Sequence, residues 1–426
     1  MLLVAAVAPA EALASERVGS AVFEVLAERG EADVVIAYAS PAGLERVQSI
    51  AGRVPAGHLE IRRTLRRVAA FAGTVTASGL AALLRDPRVL RIDLEEGGGG
   101  RLAQVVPLVG LDAVQSMGFG GAGITVALLD TGADLDHDDL QDSIVAEACF
   151  CPSCCPNGMD TQLGPGSAED DHGHGTNVAG VITSNGTVSA VGGAPDADVV
   201  LVKVLDSSNT FSSSLDVIAG LDWIIDQRPE VDVVNLSLGT SVLYSGDCDA
   251  ASATTMAYAA AIDTLRARGV AVFAASGNDG SPIQMAAPAC VSGAIAVAAS
   301  NDADAVSSSS NTNASTLLVA PGVNVQSTGP ANGTLSLTGT SQASALASAC
   351  AAALFDAEPW ADGDDVELAL VSSPTVLVDP KNSESLPRLD CAEALVALPE
   401  PDAVPSLAIA LVLLGTLRHR AHRRRG

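Results

Sequence analysis

An aspartate, a histidine and a serine in this chain each stand in a local setting that suits catalysis better than scaffolding. Asp130 closes the apolar run Val126-Ala-Leu-Leu-Asp130 and is followed by Thr131-Gly132. His174 lies within Asp171-His-Gly-His174-Gly-Thr-Asn-Val-Ala-Gly180, and Ser341 within Thr338-Gly-Thr-Ser341-Gln-Ala-Ser344. A hydroxyl is a weak nucleophile until a base takes its proton, and an imidazole does so best when a carboxylate fixes its tautomer. Ser341 also opens an alanine-rich, helix-forming stretch that runs through Ala353. Its hydroxyl would therefore sit at a positive helix end, where developing negative charge is stabilised. Of the six histidines, His58 lies in an N-terminal module and His419 and His422 in the tail, which leaves His137, His172 and His174.

These groups need a rigid frame, and the pattern around them supplies one. Apolar runs at residues 124–129, 199–205, 231–234, 270–275 and 294–298 are each followed by a turn or a helical pattern. Such runs suit parallel strands buried on both faces, so the expected class is α/β, a doubly wound, mostly parallel sheet. Functional residues gather beyond the carboxyl ends of such strands, and Asp130 ends one of them. Asp-Thr-Gly is also the signature of aspartic proteases, but those need two carboxylates sharing a proton. The chain holds one copy, inside a parallel-sheet pattern.

In this order, Asp130, His174 and Ser341 resemble the motifs of the subtilisin-like serine proteases, and the order separates them from the chymotrypsin and α/β-hydrolase arrangements. The resemblance implies a serine endopeptidase working through an acyl-enzyme. It implies that Asn278, in Ala274-Ala-Ser-Gly-Asn278-Asp-Gly280, donates to the oxyanion together with the serine N–H. It further implies that Ser237, Leu238 and Gly239 pair with an extended substrate backbone, and that Ala275, Ser276 and Gly277 form the opposite wall of the first specificity pocket. Asp139 matches a family position that binds calcium, with carbonyl ligands expected from the loop at residues 184–189; the other reading of this loop is a solvated acidic turn. No cofactor is required for the triad itself. The family pattern continues Pro-His after the serine motif, whereas this chain has Ala345-Leu346. A non-catalytic exported surface protein that uses the same fold for binding is the alternative, and it would not require all four polar groups.

Residues 32–96 read as a βαββαβ module, with an apolar run at 34–38, helices at 43–50 and 79–85, two strands within 65–76 and a last strand at 89–94. This order resembles the inhibitory propeptides of the same family. The following stretch, Gly97-Gly-Gly-Gly100-Arg-Leu-Ala-Gln104, suits an exposed maturation site, cut near residues 96–104. The expected organisation is a signal segment at 1–14, a propeptide at 15–100, a catalytic domain at 101–397 and a tail at 398–426. An ordinary N-terminal domain that stays attached is the other reading of the module.

The 426 residues carry 50 acidic and 23 basic side chains, a net charge of −27, which disfavours phosphate contacts and so nucleic acid as a partner. Protein or peptide substrates and the chain's own propeptide are the expected partners. Eight cysteines, four of them at Cys149, Cys151, Cys154 and Cys155, suit disulfides in an oxidising compartment; ligand-like spacing within the cluster leaves zinc as the alternative. Cys248 with Cys290 is the favoured distant pair, and Cys350 with Cys391 the second. The apolar start ends in Ala12-Leu-Ala14, which has the look of a signal cleavage site but lacks a basic n-region. At the other end Pro399-Glu-Pro401 precedes an apolar stretch at 403–417 and a basic end, an order that resembles the PEP-CTERM sorting tails of exported bacterial proteins. The stretch is shorter than the ~20 apolar residues that span a bilayer, so the membrane would be met only in sorting. The expected location is secreted or at the cell envelope of a bacterium.

Overall fold

The structure is a computed structural model that describes residues 17–39, 44–64, 69–94 and 102–399. The expected signal segment, the sorting tail beyond residue 399 and most of the maturation stretch lie outside the described residues. The chain divides into two compact units, residues 1–99 and 100–426.

The first unit runs α1 (Ser20–Arg29), β1 (Glu31–Tyr38), α2 (Leu44–Ala51), β2 (Leu59–Thr64), β3 (Ala70–Thr76), α3 (Ala77–Leu84) and β4 (Val89–Leu94). Its four strands pair antiparallel in the order β2-β3-β1-β4, with Glu31 opposite Thr76 and Ala37 opposite Ala70. Along β1, burial alternates so that Ala32, Val34, Ile36 and Tyr38 face inward, where Val22, Val47, Ile50 and Leu83 complete the core. The βαββαβ order is present, preceded by one further helix. The first of the two middle strands is displaced, however: it lies at Leu59–Thr64 rather than after residue 65. Thr76 ends β3 and caps α3, its hydroxyl accepting the Gly79 N–H, which fixes where strand gives way to helix.

The second unit begins with α4 (Leu102–Leu108) and α5 (Leu111–Ser116), so the expected loose stretch is helical from Leu102 onward. Then follow β5 (Thr125–Asp130), β6 (Ile144–Phe150), β7 (Thr161–Leu163), α6 (His174–Thr183), β8 (Asp198–Lys203), α7 (Ser214–Gln227), β9 (Val231–Leu236), β10 (Leu243–Tyr244), α8 (Ala253–Arg266), β11 (Ala271–Ala275), β12 (Met285–Ala286), β13 (Ile295–Ser300), β14 (Leu318–Pro321), β15 (Val325–Gly329), β16 (Gly333–Leu337), α9 (Thr340–Ala357), α10 (Gly363–Val371), β17 (Val376–Val378), β18 (Ser385–Pro387) and α11 (Cys391–Ala397).

Eight strands form one sheet in the order β14-β13-β11-β9-β5-β8-β6-β7, parallel except for β7. Both faces are covered, as the unbroken apolar runs require. On β5, Val126 and Leu128 enter the core shared with α6 and α9, while Ala127 and Leu129 enter the one shared with α7 and α8. The fold is thus a doubly wound α/β sheet. The chain leaves β5 toward β6 and returns past it to β9, so β5 lies at the reversal of strand order, where such sheets open a crevice. The cysteine-rich region is a hairpin at the sheet edge, β6 to β7, held by Cys149–Cys155 and Cys151–Cys154. Cys248–Cys290 and Cys350–Cys391 complete four disulfides, so the sulfurs of the cluster are paired with one another and no cysteine is left free.

Candidate active site

Asp130, the last residue of β5, is fully buried, and the first residue of α6 is His174. The two side chains meet at 2.7 Å between Asp130 Oδ1 and His174 Nδ1. The approach depends on Gly175, because a Cβ there would lie 2.0 Å from the Gly132 carbonyl oxygen and 3.0 Å from Asp130 Oδ1. The Thr131 N–H also donates to Asp130 Oδ1 at 2.7 Å. Beneath them the buried Lys203 ammonium donates to the Thr131 carbonyl and to Asp171.

Asp170 secures the start of α6. Its Oδ1 accepts the N–H groups of His172 and Gly173, and its Oδ2 accepts both the N–H and the hydroxyl of Thr176. Burial alone would lower the His174 pKa. The charge and hydrogen bond of Asp130, with the charge of Asp170, outweigh burial and raise it above its ordinary value. With Nδ1 donating to Asp130, Nε2 is the nitrogen free to accept a proton. The other two candidates are occupied otherwise. His137 is buried, with Nε2 on the Gly333 carbonyl and Nδ1 accepting the Asp139 N–H, and His172 accepts the His174 N–H.

Ser341 is the second residue of α9 and is 7% exposed. Its hydroxyl donates to the Ser237 carbonyl at 3.2 Å, while the Ser237 hydroxyl donates to the Ser341 carbonyl at 2.9 Å. Among the described residues no hydrogen bond joins Ser341 to His174, yet both line one cleft of about 620 Å³. Turning the hydroxyl from Ser237 requires rotation about a single bond, and catalytic hydrogen bonds commonly tighten only around substrate. Asn278 stands on the same cleft. Its Oδ1 accepts the Thr340 N–H at 3.0 Å and the Thr340 hydroxyl at 3.3 Å, which leaves Nδ2 without a described partner and able to donate to an anion. Gly277 beside it takes φ +105°, and a Cβ there would lie 2.4 Å from Asn311 Nδ2.

Ser237, Leu238, Gly239, Ala275 and Gly277 all line the cleft. Ser276 faces away, its hydroxyl donating to the buried Asn311 carbonyl. Leu205, Thr210 and Phe211 extend the lining beyond the residues singled out in the sequence. Ala345 and Leu346 are fully buried in the core around α9, so the departure from Pro-His is absorbed by packing and the helix continues unbroken.

Asp139 does not fit a calcium ligand. Oδ1 accepts the N–H groups of Thr187 and Val188, and Oδ2 accepts the Ser189 N–H and the Ser184 hydroxyl. A calcium ion needs converging oxygen lone pairs, whereas this loop turns its donors onto the carboxylate. Burial would raise the pKa of Asp139, but these hydrogen bonds prevail and lower it.

The sequence from residue 121 to 386 matches the model of the subtilase family. The chain belongs to that family. It is 34% identical over 275 residues to subtilisin DY of Bacillus licheniformis, covering 64% of this chain and 92% of that protein. It is 31% identical over 326 residues to subtilisin E of Bacillus subtilis (strain 168), covering 75% of this chain and 78% of the relative. An alkaline protease of Alkalihalobacillus alcalophilus is 34% identical over 310 residues, covering 71% of this chain and 74% of its own length. This subtilase is a serine-type endopeptidase that acts on proteins or peptides. Among the described residues no helix is long and apolar enough to cross a membrane.

Proposed function

We propose that this subtilase cleaves peptide bonds with Ser341 as nucleophile, His174 as general base and then general acid, and Asp130 as the group that orients the imidazole and stabilises its charged form. The Ser341 oxygen adds to the scissile carbonyl as its proton passes to His174 Nε2. The tetrahedral oxyanion is held by Asn278 Nδ2 and the Ser341 N–H. Collapse expels the amine, which takes the proton from His174, and water repeats the sequence on the acyl-enzyme. The observation that carries this reading is the closed Asp130–His174 pair on the same cleft as Ser341 and Asn278.

The first unit is an inhibitory propeptide, removed near residues 96–104, and the enzyme is exported as this precursor. The βαββαβ order of that unit and the four disulfides of the second support the reading. A sorting tail at 398–426 would hold it transiently at the membrane. Neither this chemistry nor the Asp139 loop calls for a metal ion.

A fluorophosphonate probe tests the central assignment. Labelling should depend on Ser341 and vanish in Ser341→Ala; an oxidised, matured sample that does not label would return the chain to the binding-only alternative. A Ser341→Ala precursor should also retain its first unit, and loss of that unit would exclude self-processing.

A further inference from the structure

We infer that Asn177 and Gln342 form a positioning pair that keeps the general base in register with the nucleophile, an inference that rests on the triad proposed above. Asn177 is three residues beyond His174 on α6, and Gln342 directly follows Ser341 on α9. Gln342 Nε2 donates to Asn177 Oδ1 at 3.1 Å, and both side chains are buried. Among the described residues this is the one hydrogen bond between the two helices.

The direction of the bond is set from outside the pair. Asn177 Nδ2 donates to the carbonyl of Leu335 at 2.7 Å and that of Thr328 at 3.5 Å, on the hairpin of β15 and β16. Its oxygen must therefore face Gln342, which can answer only with its NH₂ group. Gln342 Oε1 has no described partner, and Gln342 is part of the cleft lining beside Ser341. The hairpin thus holds Asn177, Asn177 holds Gln342, and Gln342 is covalently next to the nucleophile.

Such a bond adds direction to packing that is otherwise apolar, since both helices contribute their buried side chains to one hydrophobic cluster. Ala179 on α6 and Ala343 and Ala347 on α9 belong to the same buried cluster. Contact of this kind is favourable but has little directional preference, so it resists separation more than sliding. A hydrogen bond in a dry interior is directional and costly to leave unmade. A shift of about 1 Å between reacting groups costs up to about a hundredfold in rate.

The test compares Gln342→Met, which keeps the volume and removes the donor, with Asn177→Leu and the double variant, each as the matured, oxidised enzyme. On a peptide amide substrate each single change should lower kcat about tenfold and leave KM within about twofold. The double variant should resemble the weaker single variant rather than multiply the two losses. The rate of fluorophosphonate labelling should fall in parallel with kcat. Unchanged kcat and labelling in folded Gln342→Met, or multiplying losses in the double variant, would overturn the pair. If Asn177→Leu does not fold, the KM-against-kcat split and labelling rate of Gln342→Met decide alone. Failure of the wild-type enzyme to label would instead strike at the triad, which keeps the two outcomes distinct.

Discussion

The two helices that carry the reacting side chains begin in opposite ways. At the start of α6 the donors are taken up: the N–H groups of Gly173 and Thr176 go to Asp170, that of Gly175 to the Thr131 hydroxyl and that of His174 to His172. At the start of α9 the cap is Gly339, with no side-chain acceptor, and only the Thr340 N–H has a described side-chain partner, Asn278. Four unpaired N–H groups and a positive partial charge are the default at any helix start. On the proposed assignment, that charge is neutralised where His174 would accept a proton and left open where the oxyanion would form. One motif of secondary structure thereby serves opposite electrostatic needs about one cleft.

Removing Asn278 should have the largest effect, since in the proposed mechanism its amide and the open end of α9 act on the same charge. Asn278→Ala should lower kcat by about 10²–10³ with little change in KM, the range associated with loss of the corresponding donor in a subtilisin. Steady-state kinetics on a peptide amide checks this, and a KM effect without a kcat effect would reassign Asn278 to substrate binding.

Opening the closed end should have two smaller effects. Asp170→Asn removes a charge that raises the His174 pKa, so the acid limb of kcat/KM should move to lower pH; the wild-type limb should lie above the ordinary histidine value. The same change weakens the hold on α6 and should cost about 1–3 kcal/mol in unfolding measurements. A pKa raised by folding stabilises the native state fully below the unfolded value, and the contribution is lost as pH rises through the folded value. The base therefore becomes competent in the pH range where its bond to Asp130 contributes least to stability. An acid limb that stays in place in Asp170→Asn would remove Asp170 from the electrostatic account.

Closing the open end is the converse experiment. Thr338 is exposed, just ahead of the cap of α9, and Thr338→Asp should lower kcat about two- to fivefold, the rate equivalent of roughly 0.3–1 kcal/mol for a charge at a helix terminus. The loss should shrink at high salt. A faster enzyme would show that the helix field does not reach the oxyanion. The smallest expectation concerns Asp139, whose loop provides its own donors: EDTA should leave the thermal transition unchanged within error, and a lowered transition restored by calcium would reverse that reading.

The candidate residues stand out in the sequence because each motif is local: Asp130 ends a strand, His174 starts a helix and Ser341 lies at the start of another, with glycines beside them. The five principal parallel strands were equally plain, since burial on both faces leaves unbroken apolar runs. Elements with mixed faces were harder. β2 is Leu-Glu-Ile-Arg-Arg-Thr, in which charged residues obscure an alternating pattern, and β6 is interrupted by Glu147. Asp170 could not be singled out within Glu169-Asp-Asp171, because only the tertiary approach of α6 tells these carboxylates apart. Ser276 was within reach of a simpler rule: at the end of a strand alternate residues face opposite ways, so Ala275 and Gly277 share the cleft and Ser276 does not.

The fastening of α11 has a consequence for how the molecule tolerates cutting. The Cys391 N–H donates to the Val109 carbonyl, Arg388 to the Leu108 carbonyl, and Cys391 is linked to Cys350 in the centre of α9. Among the described residues, the first and last helical segments of the second unit are therefore stitched together, and the backbone between them is close to a closed ring. In such a ring the position of the ends is a matter of convenience. A circularly permuted enzyme, joined across this seam and opened at the exposed Asn157-Gly158 turn of the edge hairpin, would keep every strand of the central sheet in place.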